Sequence, residues 1–300
     1  MEIDRAVAVD WSAANRPVEG PNSIWIADRG PAGDIGLANP PTRAEALTAL
    51  RRIARVSVAA GERLVIGVDA SFGYPVGFAG ALGGREGGWR GVWAAIGSAI
   101  TDDDRNRSNR FGVAAELNRR LGGDPGPFWA CPSGAAGPDL TVHRGPMPMR
   151  THGGTELAEY RLVERHLRAR SRLVHSVWKL FTPGSVGSQT LLAIARLGEL
   201  RRDQVSGPHT VIWPFEVDHA TLERRPLVVV VELWPELADP DVGEHPVRDA
   251  AQVLAAARWI ARLAATDELA PMLLLDELDE PTRRAAITEE GWILGAERVR

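Results

Sequence analysis

The chain has 300 residues, 44% hydrophobic and 25% charged, which are the proportions of an ordinary globular protein and exclude disordered, collagen-like and coiled-coil classes. Its net charge of −4 gives the molecule as a whole no pull towards nucleic acid or an acidic membrane. The longest apolar run, around Leu227 to Val231, falls far short of the roughly 20 residues that cross a bilayer, so no membrane partner is expected.

The first predicted element is a buried strand from Arg5 to Trp11, where small and branched apolar residues alternate. A Pro/Gly/Asn turn at 15–22 precedes a second strand at Ser23 to Ala27, and a third near Asp34 to Leu37 completes an antiparallel meander. Thr42 to Ala60 reads as a helix with Ala46, Leu47, Leu50, Ile53, Ala54 and Val58 on one face and Gly61 as its stop. Leu64 to Val68 is a continuous apolar run of the kind buried on both faces.

The middle of the chain reads differently. Gly80 to Gly88 is a glycine-rich run without the Gly-Lys-Ser/Thr ending of a phosphate-binding loop, and reads as a mobile loop. Helices are predicted at Trp89 to Ile100, Asn109 to Leu121, Thr155 to Arg172 and Ser188 to Arg202, with a Pro/Gly-rich stretch at 122–148 between them. Strands follow at Thr210 to Trp213 and Leu227 to Val231, then a long helix from Pro246 to Ala265. Gly291 to Leu294 is either a short strand or a packed tail. We predict one α/β domain over residues 1–300, with a helical and loop-rich insertion at about 76–208.

Charge is unevenly spread. Arg144 to Lys179 holds eight basic residues against three carboxylates, whereas Leu233 to Glu290 holds 13 carboxylates against five arginines. The N-terminus lacks the long apolar core of a secretory signal, and the single cysteine, Cys131, can form no internal disulfide. A cytoplasmic location is the expectation from both.

Three apolar runs end in a carboxylate: Val-Ala-Val-Asp10, Ile-Gly-Val-Asp69 and Val-Val-Val-Glu232. If these strands are parallel neighbours, Asp10, Asp69 and Glu232 meet at their carboxyl ends, where open α/β sheets form a crevice. Asp249, in the first turn of the long helix, is a fourth candidate, although the helix dipole favours an acid there in any case. Crowded carboxylates are tolerated when a hard cation neutralises them, and oxygen-only ligands select Mg²⁺ or Mn²⁺ over zinc.

Val-Asp-Trp-Ser at Asp10, Gly-Val-Asp-Ala-Ser-Phe-Gly-Tyr-Pro at Asp69, Val-Glu-Leu-Trp-Pro at Glu232, Arg-Asp-Ala-Ala-Gln at Asp249 and Glu-Gly-Trp-Ile-Leu-Gly around Trp292 together resemble the DUF429 family of predicted nucleases. The likeness covers about residues 4–75 and 226–296. It implies an RNase H-like fold, with a mixed five-stranded sheet of three antiparallel strands continued by two parallel ones and helices on both faces. It also implies an acidic cluster at Asp10, Asp69, Glu232 and Asp249.

The expected activity is therefore metal-dependent hydrolysis of phosphodiester bonds in a nucleic acid or nucleotide, with the four acids holding Mg²⁺ or Mn²⁺ as metal ligands and catalytic residues. The expected substrate-binding set is Ser12 and Ser71, two residues past Asp10 and Asp69, with Lys179, Ser185, Ser188 and Gln189 around a small-residue loop entering a helix, and Arg161 and Arg165 for phosphate contact. Arg168 and Arg172 continue that basic row; Ser188 reads equally as a helix N-cap. An alternative is an ATP-dependent phosphotransferase of the actin and sugar-kinase type, although Trp11 and Ser12 stand where such proteins place glycine after the first Asp. A non-catalytic binding protein that keeps the fold is the third reading.

Overall fold

The computed structural model describes residues 1–83, 87–122, 125–238 and 244–299. Strands β1 (Arg5–Asp10), β2 (Trp25–Arg29) and β3 (Ile35–Ala38) form an antiparallel meander. Helix α1 (Arg43–Ala59) leads to β4 (Arg63–Asp69), parallel to β1. Next come α2 (Phe78–Leu82), α3 (Gly88–Ala99) and α4 (Arg110–Leu121), followed by a short hairpin of β5 (Met149–Arg150) and β6 (Glu156–Leu157). Helices α5 (Leu162–Arg168) and α6 (Gly187–Arg201) precede β7 (Thr210–Ile212), and α7 (His219–Leu222) precedes β8 (Leu227–Glu232). Helices α8 (Arg248–Ala265), α9 (Leu269–Leu274) and α10 (Glu280–Ala285) close the order.

The result is a mixed α/β architecture around a six-stranded sheet in the order β3-β2-β1-β4-β8-β7. The five-stranded expectation is one strand short: β7 pairs parallel to β8 and forms the edge. The apolar runs of β1, β4 and β8 are continuous because helices cover both faces of the sheet. Val7, Val9, Ile66, Val68, Val228 and Val230 pack into a core shared with α1, α3, α4 and α6. Ala6, Ala8, Val65, Val229 and Val231 pack instead with α8, α9 and the C-terminal segment. Gly67 lets α8 come close, since a Cβ there would stand 3.1 Å from both Ile260 and Leu233 side-chain carbons.

The predicted helix over Thr155 to Arg172 is much shorter in the structure. Glu156 and Leu157 pair with Met149 and Arg150 as strands, and the Arg161 N–H donates to the Glu164 carboxylate at 2.9 Å, which starts α5 only at Leu162. Arg172 therefore lies beyond the helix, and the four arginines do not form one row. Pro246 stands two residues ahead of α8 rather than within its first turn. Gly291 to Leu294 is a packed tail: Trp292, Ile293 and Leu294 are buried, and the Leu294 N–H donates to the Glu232 carbonyl at 3.0 Å. Residues 84–86 of the glycine-rich run and 123–124 of the following loop lie outside the described residues. Among the described residues no helix is long and apolar enough to cross a membrane.

Candidate active site

Asp10 and Asp69 are register partners at the last positions of β1 and β4. Partners on neighbouring parallel strands share a face of the sheet, with the strands roughly 4.8 Å apart. Glu232 ends β8, but its partner is Val68. That single step of register sends its side chain to the opposite face from Asp69. Asp10 and Asp69 are therefore a register pair, while Glu232 meets Asp69 only in a second, smaller cavity beside Arg161.

Asp249 enters from α8, which covers the face that Asp10 and Asp69 share. Its carboxylate accepts the Asn22 N–H at 2.6 Å. Asp10, Asp69 and Asp249 line one cavity of about 530 Å³. A fourth acid, Glu236, joins them from the 3-10 turn Pro235–Ala238. The sequence reading missed Glu236, although the Trp-Pro-Glu that follows Glu232 marks a turn directly after the strand end. Arg248 is the one cation on the cavity wall among the described residues, and it pairs with Glu236 at 3.0 Å.

Uncompensated negative charge marks this cavity. Burial, then Glu232, Glu236 and Asp249, hold the Asp69 carboxyl up at about 7. Burial, then Asp69 and Asp249, push Asp10 well above the usual carboxylate range. Every neighbouring charge that acts on either group is negative, which favours the protonated form.

Glu232 has the opposite surroundings. Arg161 donates to its two oxygens at 2.6 and 2.9 Å, and the Phe72 N–H donates to it at 3.0 Å. Arg161 also donates to Glu164, to the Glu290 carbonyl and to Ser71 Oγ. Burial opposes the charge on this guanidinium, but Glu232 and Glu164 outweigh it and raise its pKa. Three donors, two of them from one guanidinium, already meet the Glu232 carboxylate, which sets it apart from the uncompensated Asp10 and Asp69. Arg161 is 1% exposed and is the partner of these acids, not a solvent-facing phosphate contact.

The remaining expected site residues scatter. Ser12, Ser185 and Gln189 line the acidic cavity, and the Gln189 amide donates to the Trp11 carbonyl at 2.6 Å. Ser71 is buried against Arg161, in a smaller cavity of about 150 Å³ that shares Asp69 and Gln189 with the first. Ser188 is 2% exposed, donates to the Leu180 carbonyl at 2.6 Å and accepts from Arg110 at 3.1 Å, so it neither caps α6 nor faces the cavity. Lys179 donates to the Pro183 carbonyl at 2.6 Å and lies over the Trp129 ring. Arg165 and Arg168 line a separate cavity of about 630 Å³ beside Tyr160 and Trp292.

The donor set of Asp10, Asp69 and Asp249 is all oxygen, which suits a hard divalent cation. Among the described residues no three His, Cys, Asp or Glu side chains are gathered into a metal cage. Mg²⁺ does not need one, since it is commonly held by one or two carboxylates with waters and substrate phosphate. An adjoining, electrostatically frustrated pair such as Asp10 and Asp69 fits that mode of binding. Compared with known protein families, curated proteins and solved structures, the chain matches none.

Proposed function

We propose that the protein is an RNase H-like, divalent-cation-dependent phosphodiesterase of the DUF429 type, acting on a nucleic acid or nucleotide. The observation that carries this reading is the side-by-side placement of Asp10 and Asp69, facing Asp249 across one cavity with no positive charge acting on either. The antiparallel meander continued by parallel strands supports the RNase H-like reading.

Asp10 and Asp69 would hold Mg²⁺ or Mn²⁺, with Asp249 as a further oxygen donor. When bound, such a cation supplies an acidified water and neutralises charge that develops on the phosphoryl group. The chain's own residues supply position. Asn22 fixes the Asp249 carboxylate through its backbone N–H. Gln189 ties the start of α6 to the Trp11 carbonyl, one residue past Asp10, on the cavity wall. Ser12 and Ser185 offer hydroxyl donors on the same wall for phosphate oxygens.

The test is hydrolysis of bis(p-nitrophenyl) phosphate, a dinucleotide and single- and double-stranded oligonucleotides with Mg²⁺ or Mn²⁺. Asp10→Asn and Asp69→Asn are expected to lower kcat/KM by about 100-fold, or roughly 2.7 kcal/mol of transition-state stabilisation, with an unchanged circular dichroism spectrum. Turnover that survives both substitutions at the wild-type rate overturns the assignment.

A further inference from the structure

The smaller cavity, of about 150 Å³, shares two wall residues, Asp69 and Gln189, with the acidic cavity. It therefore begins beside the Asp69 carboxylate. Leu173, Val174, Val186, Leu233, Trp234 and Ile293 supply its apolar wall. Leu173 is 76% exposed and Trp234 is half-buried, so two large apolar side chains at this cavity keep uncovered surface. Apart from Asp69, the charges on the wall answer one another: Arg161 pairs with Glu232 at 2.6 Å and with Glu164 at 2.9 Å. Such a chamber suits a neutral group with apolar faces better than a second phosphate.

Three polar side chains on the same wall keep hydrogen-bonding capacity. Gln189 spends its amide N–H on the Trp11 carbonyl, and its Oε1 accepts from no described residue. Ser71 Oγ accepts from Arg161 at 3.1 Å and donates to no described residue. The His175 ring lies against Gly184, where a Cβ would stand 2.5 Å away, and so is held between the two cavities. Burial, then Lys179 and Arg168, keep its pKa below the ordinary imidazole value despite Glu236. A neutral imidazole offers one donor and one acceptor. The volume matches one six-membered ring, since an apolar cavity of about 150 Å³ takes up benzene.

We propose that this cavity is a base pocket that receives an unpaired pyrimidine next to the phosphate bound at Asp10 and Asp69, a reading that rests on the phosphodiesterase assignment for the position of that phosphate. Enzymes that act at a single nucleotide stack its base between aromatic or apolar side chains and hydrogen-bond its pairing edge. Here Trp234, Leu173 and Val186 supply surface for the ring faces, and Gln189, Ser71 and His175 supply donors and acceptors for the edge. A base engaged in this way has left its duplex partner. The substrate class is therefore single-stranded nucleic acid, or a dinucleotide, with a pyrimidine at the scissile bond. A purine, with two fused rings, exceeds the chamber.

The test is saturation-transfer difference NMR of the full chain with the uncharged nucleosides thymidine, deoxycytidine and deoxyadenosine, without added metal. Transfer to the pyrimidine ring protons is expected in the wild type and in Asp10→Asn, since Asp10 does not line this cavity. In Trp234→Ala the thymidine Kd should rise about tenfold, within the range that base–aromatic stacking supplies. No transfer in the wild type, or an unchanged Kd in Trp234→Ala, overturns the proposal. Deoxyadenosine that binds as tightly as thymidine overturns it too. If Trp234→Ala does not fold, Val186→Trp serves: it fills the chamber, so lost transfer supports the pocket and unchanged transfer refutes it. Transfer in a wild type that hydrolyses no phosphodiester supports the base pocket and counts against the phosphodiesterase reading; hydrolysis without transfer does the reverse.

Discussion

Arg161 donates to both oxygens of Glu232, at 2.6 and 2.9 Å, and both side chains are sealed from water. Removing one member of such a pair strands the other's charge, at roughly 3–5 kcal/mol. Arg161→Met is therefore expected to lower unfolding free energy by about that amount, because it orphans Glu164 as well as Glu232. Urea titration gives the value, and a change within error of zero contradicts the pairing.

Glu232→Gln separates a structural acid from a ligand. It should destabilise the fold while Mn²⁺ affinity stays within about threefold of wild type, since Arg161 already occupies the carboxylate. Loss of cation binding at unchanged stability would return Glu232 to the ligand set.

The paired acids make stability depend on pH in a predictable direction. A carboxyl raised from 3.8 unfolded to about 7 folded, as for Asp69, binds more protons in the folded state between those limits. Its contribution is full below about pH 4 and is lost as pH rises through about 7. Glu297, which burial also holds up at about 7, acts in the same sense, so the wild type alone does not isolate Asp69. The difference in Tm between Asp69→Asn and wild type does. It should be positive at about pH 8, worth on the order of a few kcal/mol, fall as pH drops below about 7, and approach zero only near pH 4. A difference independent of pH contradicts the raised pKa.

Gly73 marks where the C-terminal segment presses on the loop after β4. A Cβ there would stand 2.3 Å from the Glu289 carbonyl oxygen and 2.4 Å from the Glu290 carbonyl carbon. Neither backbone atom can swing away as a side-chain end would, because Glu290 is tied through its side chain to the N–H groups of Val76 and Leu162. Gly73→Ala is expected to destabilise by about 1–3 kcal/mol, the usual range for overpacking. Thermal unfolding checks it, and an unchanged Tm would mean that this contact is loose.

Apolar runs and turn residues were enough to read the main strands and longer helices, because β1, β4 and β8 are buried on both faces and their interiors carry no charged residue. Asp10, Asp69 and Asp249 could be read as companions for the same reason: each stands at an element end aimed at one crevice. Glu232 looks identical in sequence, yet register decides its face, and register is set by pairing across about 160 residues that no local pattern records. Arg161 was misread because surface arginines and buried ones share a periodicity; only the distant partners Glu232 and Glu290 distinguish them.

The most direct measurement is titration of Mn²⁺ into the wild type and Asp69→Asn at about pH 8, where the Asp69 carboxyl is ionised. Binding by the wild type, a rise in its Tm with the ion, and loss of both in Asp69→Asn are the predicted results. Equal Mn²⁺ binding by the two proteins, or none by the wild type, would contradict a cation site built on Asp10 and Asp69.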